Sequence, residues 1–275
     1  MLYYHTINRL FCQESEGLIN MKILVLGDVC GEVGVKMLSK HLRNLQKKYN
    51  ADLTIVNGEN TAVNGILPHH ADEIFASGAD IITLGNHALD MHQIHDYIDD
   101  CRYMARPMNL PPQQPGEGHC KIDIQGKTVC VVPLLGRVHM GRFDYDDPFR
   151  MIDNFLKKDS SDIYIIDFHA ETTSEKKAMG YNLDGRVSAV FGTHTHVQTA
   201  DEQILPKGTG YITDVGMCGP YHSVLGVEKE QSVAKFNGNI VGRYRESKEA
   251  GFISGIVFEL DNNGKCIDVI RFQEK

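Results

Sequence analysis

The chain has 275 residues, 42% of them apolar and 23% charged, with a formal net charge of −8. That length buries a full core in one large or two small domains, and the acidic balance argues against charge-driven binding to nucleic acid or anionic membranes. Seven cysteines with no C-x-x-C pair make neither a disulfide framework nor a zinc ribbon and point to a reducing cytoplasm; no apolar run reaches the roughly 20 residues that span a bilayer.

Residues 1–20 mix polar and apolar types too finely for a signal-peptide core, and read as an extension ahead of a start at Met21. From there residues 21–275 read as one domain in which strands alternate with helices. Lys22 to Gly27 is a buried strand. Val35, Leu38, Leu42, Leu45 and Tyr49 then fall three and four apart, one apolar face of a helix. Asp52 to Asn57 is a strand, His70 to Ala76 a helix, Asp80 to Leu84 a strand and Gln93 to Arg102 a helix. Such alternation implies parallel pairing through helical crossovers. Met108 to Gly118 is a loop by its Pro, Gln and Gly content, and Lys121 to Val132 a hairpin turning at Gln125-Gly126. A helix near Pro148 to Lys157 is followed by strands at Ile163–Phe168, Val187–Phe191 and Tyr211–Asp214. A terminal hairpin joins Phe252–Leu260 to Ile267–Phe272. A parallel first half followed by hairpins gives an α/β fold of two packed sheets with helices outside.

The chemistry gathers where strands end. The candidate ends are Gly27-Asp28, Asn57-Gly58-Glu59-Asn60, Gly85-Asn86-His87, Phe168-His169 and Gly192-Thr193-His194-Thr195-His196. Ligands of open α/β sheets bind outside the carboxyl ends of the strands, so these carboxylates, amides and imidazoles converge on one edge. His194 and His196, two apart in extended backbone, project to one side. Mixed nitrogen and oxygen donors suit iron, manganese or zinc better than calcium or magnesium. Their number exceeds one site and matches two metals sharing a carboxylate, about 3.5–4 Å apart, the arrangement that clamps phosphoryl oxygens.

This order of motifs resembles the calcineurin-like metallophosphoesterases. Its finer wording is similar to the bacterial YmdB family among them, which includes phosphodiesterases acting on 2′,3′-cyclic nucleotides. The likeness runs over residues 21–275, through the strand-end motifs above, Asp167-Phe168-His169-Ala170-Glu171 to Lys176, Val197 to Asp201, and Ile212 to Met217. It implies a four-layer α/β/β/α sandwich and two metal ions per chain, iron or manganese. The implied ligands are Asp28, Glu59, Asn60 and His196 for the first metal, and Glu59, Asn86, His169 and His194 for the second, with Glu59 bridging. His87, next to a ligand, is the implied general acid for the leaving alkoxide, and a metal-bound hydroxide the implied nucleophile on phosphorus. Two positions depart from the wider superfamily: Cys30 replaces the histidine of its first motif, and Glu59-Asn60 stands where it has a bridging aspartate. Cys30 is either a small buried residue or a thiolate ligand for a soft metal.

Each residue has a plainer reading taken singly. Asp28 could cap the next helix, Glu59-Asn60 and Asn86 could be turn residues, and His169 a satisfied buried histidine. Their joint order favours a dinuclear centre. His69, His70, His92 and His95 read as solvated helix residues. Arg137, His139 and Arg142 read as a surface loop, and Tyr221-His222 as part of a glycine-rich loop lining a pocket or a subunit contact. The leading function is hydrolysis of a small phosphodiester, a cyclic nucleotide or an RNA end, by a cytoplasmic assembly of identical chains with no membrane partner. A phosphomonoesterase acting on nucleotides or phosphoproteins, and a non-catalytic regulatory scaffold, are the alternatives.

Overall fold

The computed structural model describes residues 20–62, 64–141 and 145–275. The extension, apart from Asn20, and Arg142 of the polar loop lie outside the described residues.

The first part of the chain runs β1 (Met21–Leu26), β2 (Asp28–Val29), α1 (Gly31–Tyr49), β3 (Leu53–Asn57), α2 (Pro68–Ser77), β4 (Ile81–Thr83), α3 (Ile94–Asp100) and β5 (Met104–Ala105). It continues through β6 (Cys120–Ile124), β7 (Lys127–Leu135), α4 (Pro148–Leu156), β8 (Ile163–His169), α5 (Thr173–Leu183) and β9 (Ala189–Thr193). The last part holds β10 (Gln203–Ile204), β11 (Gly210–Ile212), β12 (Met217–Pro220), α6 (Lys229–Phe236), β13 (Gly251–Leu260) and β14 (Cys266–Glu274). Local chemistry sets several boundaries. Pro148 opens α4 and Asp147 caps it, accepting from the Phe149 and Arg150 amides at 2.9 and 3.2 Å.

Two sheets result. The first has the order β2-β12-β13-β1-β3-β4-β5, with β14 also on β13; the second is β10-β11-β9-β8-β7-β6. Every central strand is buried on both faces, and period two sorts its side chains between two cores. Ile23 and Val25 of β1 meet Val129, Val131, Ile165 and Phe191 between the sheets. Leu24 and Leu26 face outward onto Leu38, Leu42 and Ile74 of α1 and α2. On the far side Val132, Ile166 and Phe168 pack with Ile152, Met179 and Leu183 of α4 and α5. This is the four-layer α/β/β/α sandwich expected. Among the described residues no helix is long and apolar enough to cross a membrane.

Three expectations are corrected. The second half is not hairpins alone: the two expected hairpins form as β6–β7 and β13–β14, but between them β7, β8, β9 and β11 pair in parallel, with α4 and α5 as crossovers. The strand placed at Val187–Phe191 lies two residues later, so Thr193 belongs to the ladder. His194 and His196 are not in extended backbone; both take positive φ, 101° and 63°, in the turn after β9.

Candidate metal centre

The site is the polar end of the core between the sheets. Positions that alternate inward along each strand are apolar at first and turn polar at the carboxyl end: Leu53, Ile55, Asn57; Ile81, Thr83; Ile163, Ile165, Asp167, His169; Ala189, Phe191, Thr193. All of these side chains are buried. Asp167 ties them across the gap, accepting from the Thr83 hydroxyl at 2.6 Å, the Thr193 hydroxyl at 2.7 Å and the Asn57 amide at 2.9 Å. Burial nevertheless pushes its carboxyl up to about 7.

With its single proton given to Asp167, the Thr193 hydroxyl accepts from His169 Nδ1 at 2.9 Å. The lone pair of His169 is therefore on Nε2, which lies 2.8 Å from Asn86 Oδ1 and 3.0 Å from His194 Nδ1. The other two imidazoles follow the same logic. His194 Nε2 lies 3.1 Å from the Glu171 carboxylate, and His196 Nδ1 lies 3.1 Å from the Leu225 carbonyl. Their remaining nitrogens face the cluster, with His196 Nε2 3.1 Å from Asn60 Nδ2 and 3.9 Å from Asp28 Oδ1. Anchoring one ring nitrogen on an acceptor and leaving the other bare is how proteins hold metal-binding histidines.

Among the described residues no lysine or arginine forms an ion pair with Asp28 or Glu59. Asp28 Oδ2 accepts from the His194 amide at 3.0 Å, but Oδ1 is buried without a hydrogen-bond donor, 4.0 Å from His169 Nδ1. Glu59 accepts from the Gly85 and His87 amides and lies 3.8 Å from His169 Nε2. Burial raises the Asp28 carboxyl and raises that of Glu59 well above its ordinary value. It lowers His169 far down, and His194 to about 4. Neutral imidazoles facing an orphaned carboxylate oxygen and an amide oxygen leave a place for positive charge, so the donor set fits bound metal ions. Close approach at this point requires Gly85, because a Cβ there would sit 2.4 Å from the His169 ring.

The predicted residues Asp28, Glu59, Asn60, Asn86, His169, His194 and His196 thus come together as a chain of pairwise contacts. His87 sits beside them, its amide on Glu59 and its Nδ1 2.6 Å from Asp90 Oδ2, with the side chain 30% exposed. Cys30 also reaches the cluster, its Sγ 3.6 Å from His196 Nδ1, but it packs with Met217 and Phe252, and burial raises its thiol far above the ordinary value. That favours a small buried residue over a thiolate. The loop after Gly136 is held at the segment following His169, the Arg137 and Val138 amides donating to Glu175. From the Tyr221 loop it is Leu225, not His222, that touches the site. His70 is not solvated: it is 4% exposed and its Nε2 lies 3.2 Å from Glu32 Oε1.

Sequence reasoning missed the residues behind the ligands: Asp167, Thr193, Glu171, Asp90 and the pair Lys176–Asp214. Lys176 Nζ lies 2.6 Å from Asp214 Oδ2, both fully buried. The same oxygen accepts from the Thr195 amide and hydroxyl at 3.1 and 2.8 Å, which fixes the turn carrying His194 and His196. The run of inward polar residues at positions 57, 83, 167 and 193 was the signal available for Asp167 and Thr193.

A family model described as YmdB-like protein matches residues 24–272. The chain belongs to the YmdB-like family. A curated relative from Bacillus subtilis (strain 168), named 2′,3′-cyclic-nucleotide 2′-phosphodiesterase, is 44% identical to this YmdB-like chain over 248 residues, covering 89% of this chain and 93% of that relative. A solved structure titled as a novel phosphatase from Mycoplasma pneumoniae superposes with TM-score 0.88 at 37% identity, covering 94% of this chain and 95% of that one. A hypothetical protein from Thermus thermophilus gives TM-score 0.86 at 36% identity, covering 93% and 100%. The fold is that of the calcineurin-like metallophosphoesterases.

Proposed function

We propose that this YmdB-like chain is a dinuclear-metal phosphodiesterase that hydrolyses 2′,3′-cyclic nucleotides or RNA-derived ends. The observation that carries the reading is the set of three imidazoles, each tied down at one nitrogen with the other turned toward the cluster, around the donor-less Asp28 Oδ1. Asp28, Glu59, Asn60 and His196 would hold one metal, and Glu59, Asn86, His169 and His194 the other, with iron or manganese the proposed ions. Each Glu59 oxygen accepts one backbone N–H and keeps a second lone pair for a bridging role. Bound metals would supply Lewis acidity and neutralise charge on the phosphoryl oxygens. The protein's own part is orientation and proton transfer. Asp90, on Nδ1, holds the His87 ring so that Nε2 delivers a proton to the departing ribose oxygen as a water oxygen adds to phosphorus and the P–O bond breaks; from a 2′,3′-cyclic nucleotide the product is a nucleoside monophosphate. The Glu171 and Leu225 contacts hold His194 and His196 in place while that proton moves.

The test is parallel assay of metal-loaded protein on a 2′,3′-cyclic nucleotide, bis-p-nitrophenyl phosphate and p-nitrophenyl phosphate. Diester turnover exceeding monoester turnover is the expected result. The reverse order overturns the substrate class in favour of a phosphomonoesterase, and no turnover on any phosphoester leaves a regulatory scaffold.

A further inference from the structure

Away from the seven residues assigned above, one donor atom each from Glu32, His69 and His70 lies within 4.8 Å of the others. Among the described residues this is the one such grouping of three histidine, cysteine or acidic side chains. We propose that Glu32, His69 and His70 form a separate site for a single divalent cation of the zinc class. Two imidazoles and a carboxylate are a zinc donor set that leaves a fourth position open to water. The three residues differ in freedom. His70 is fixed: its ring is buried, with Nε2 turned toward the Glu32 carboxylate. Glu32 and His69 are exposed, so the cation has an entry path from solvent. Ligand atoms about 2 Å from a tetrahedral ion sit about 3.3 Å apart. His70 Nε2 and Glu32 Oε1 already stand at 3.2 Å, so only the exposed His69 side chain has to draw in. A mere Glu32–His70 ion pair would leave unexplained why the His69 ring lies beside that of His70, at 4.1 Å between centroids.

The location gives the site a consequence. Glu32 is in the first turn of α1 and both histidines are in the first turn of α2, and the segment between β3 and α2 carries Glu59 and Asn60. The amide of Gly31 donates to the Asn60 carbonyl at 3.0 Å. A cation here clamps the two helix starts on either side of that loop.

Crystals of the full chain soaked in zinc chloride, measured on both sides of the zinc absorption edge, test the proposal, together with elemental analysis of desalted protein. The expected result is an anomalous peak among Glu32, His69 and His70, and a zinc content lower by about one equivalent per chain in His69→Ala and in Glu32→Gln. Because both altered side chains are exposed, these variants are expected to fold and to keep diester hydrolysis within about twofold of the unaltered chain. No peak there, or equal zinc content in all three proteins, overturns it. The dinuclear reading fails differently, by absence of turnover in the unaltered chain.

Discussion

His87 is the most exposed of the four imidazoles of the cluster, its side chain 30% exposed against 24% for His194, 11% for His196 and 0% for His169, with Nδ1 on the Asp90 carboxylate. A proton donor must meet both substrate and water, whereas a ligand need not. His87→Ala is therefore expected to keep its metal by elemental analysis while diester turnover falls by about two to four orders of magnitude. Metal loss in that variant would make His87 a ligand instead. Asn60→Ala should lower occupancy of one metal, since its amide lies beside His196. Unchanged metal content would remove Asn60 from the ligand set. Thr193→Val acts one step further back: it breaks the bond that fixes the His169 tautomer, and metal affinity should drop by about 10–100-fold.

At the scale of elements, α5 and the turn after β9 form one device. The buried positions of the helix are Lys176, Met179, Gly180 and Leu183, an i, i+3, i+4, i+7 face that contains a lysine and a glycine. An apolar pattern search passes over such a face, which hides this helix in the sequence, whereas α1 shows itself through five regularly spaced apolar residues. Gly180 is needed because a Cβ there would lie 2.6 Å from the Tyr211 ring, and Lys176 because Asp214 is buried opposite it. α6 is hidden for the converse reason: it buries Gln231 and Ser232 and exposes Val233 and Phe236. The ligand residues are legible because strands ending in Asp, Asn or His interrupt apolar runs. Their supports are not, because a Thr or Asp inside a strand carries no mark of what it touches across the sheets. Asp214→Ala leaves Lys176 as a buried uncompensated charge and frees the Thr195 amide. A loss of about 3–5 kcal/mol in urea unfolding is expected, together with reduced metal content. A near-neutral effect would mean that the turn is held by other contacts.

For the molecule as a whole, the buried acids couple stability, protons and metal. In the metal-free protein burial raises Asp28 and Glu59, and Asp167 to about 7, so the folded chain binds more protons than the unfolded one above the ordinary carboxyl range. Through these groups stability falls as pH rises from about 4 to about 7. His169 and His194 are lowered, and they oppose that fall up to the ordinary imidazole value of 6.5, beyond which only the carboxyl effect remains. Metal binding needs the ionised carboxylates, so uptake near pH 7 should expel protons and tighten with rising pH. Calorimetry in two buffers of different ionisation enthalpy measures this, and a buffer-independent heat would refute it. The same molecule-wide view gives the order of pairing in the first sheet a meaning in time. β13 lies between β1 and β12, antiparallel to both. A ribosome therefore finishes every proposed metal ligand, through His196, before it makes the strand that seals the edge of β1. Until Leu260 has emerged, the nascent chain carries every proposed donor on a sheet whose β1 edge is still open.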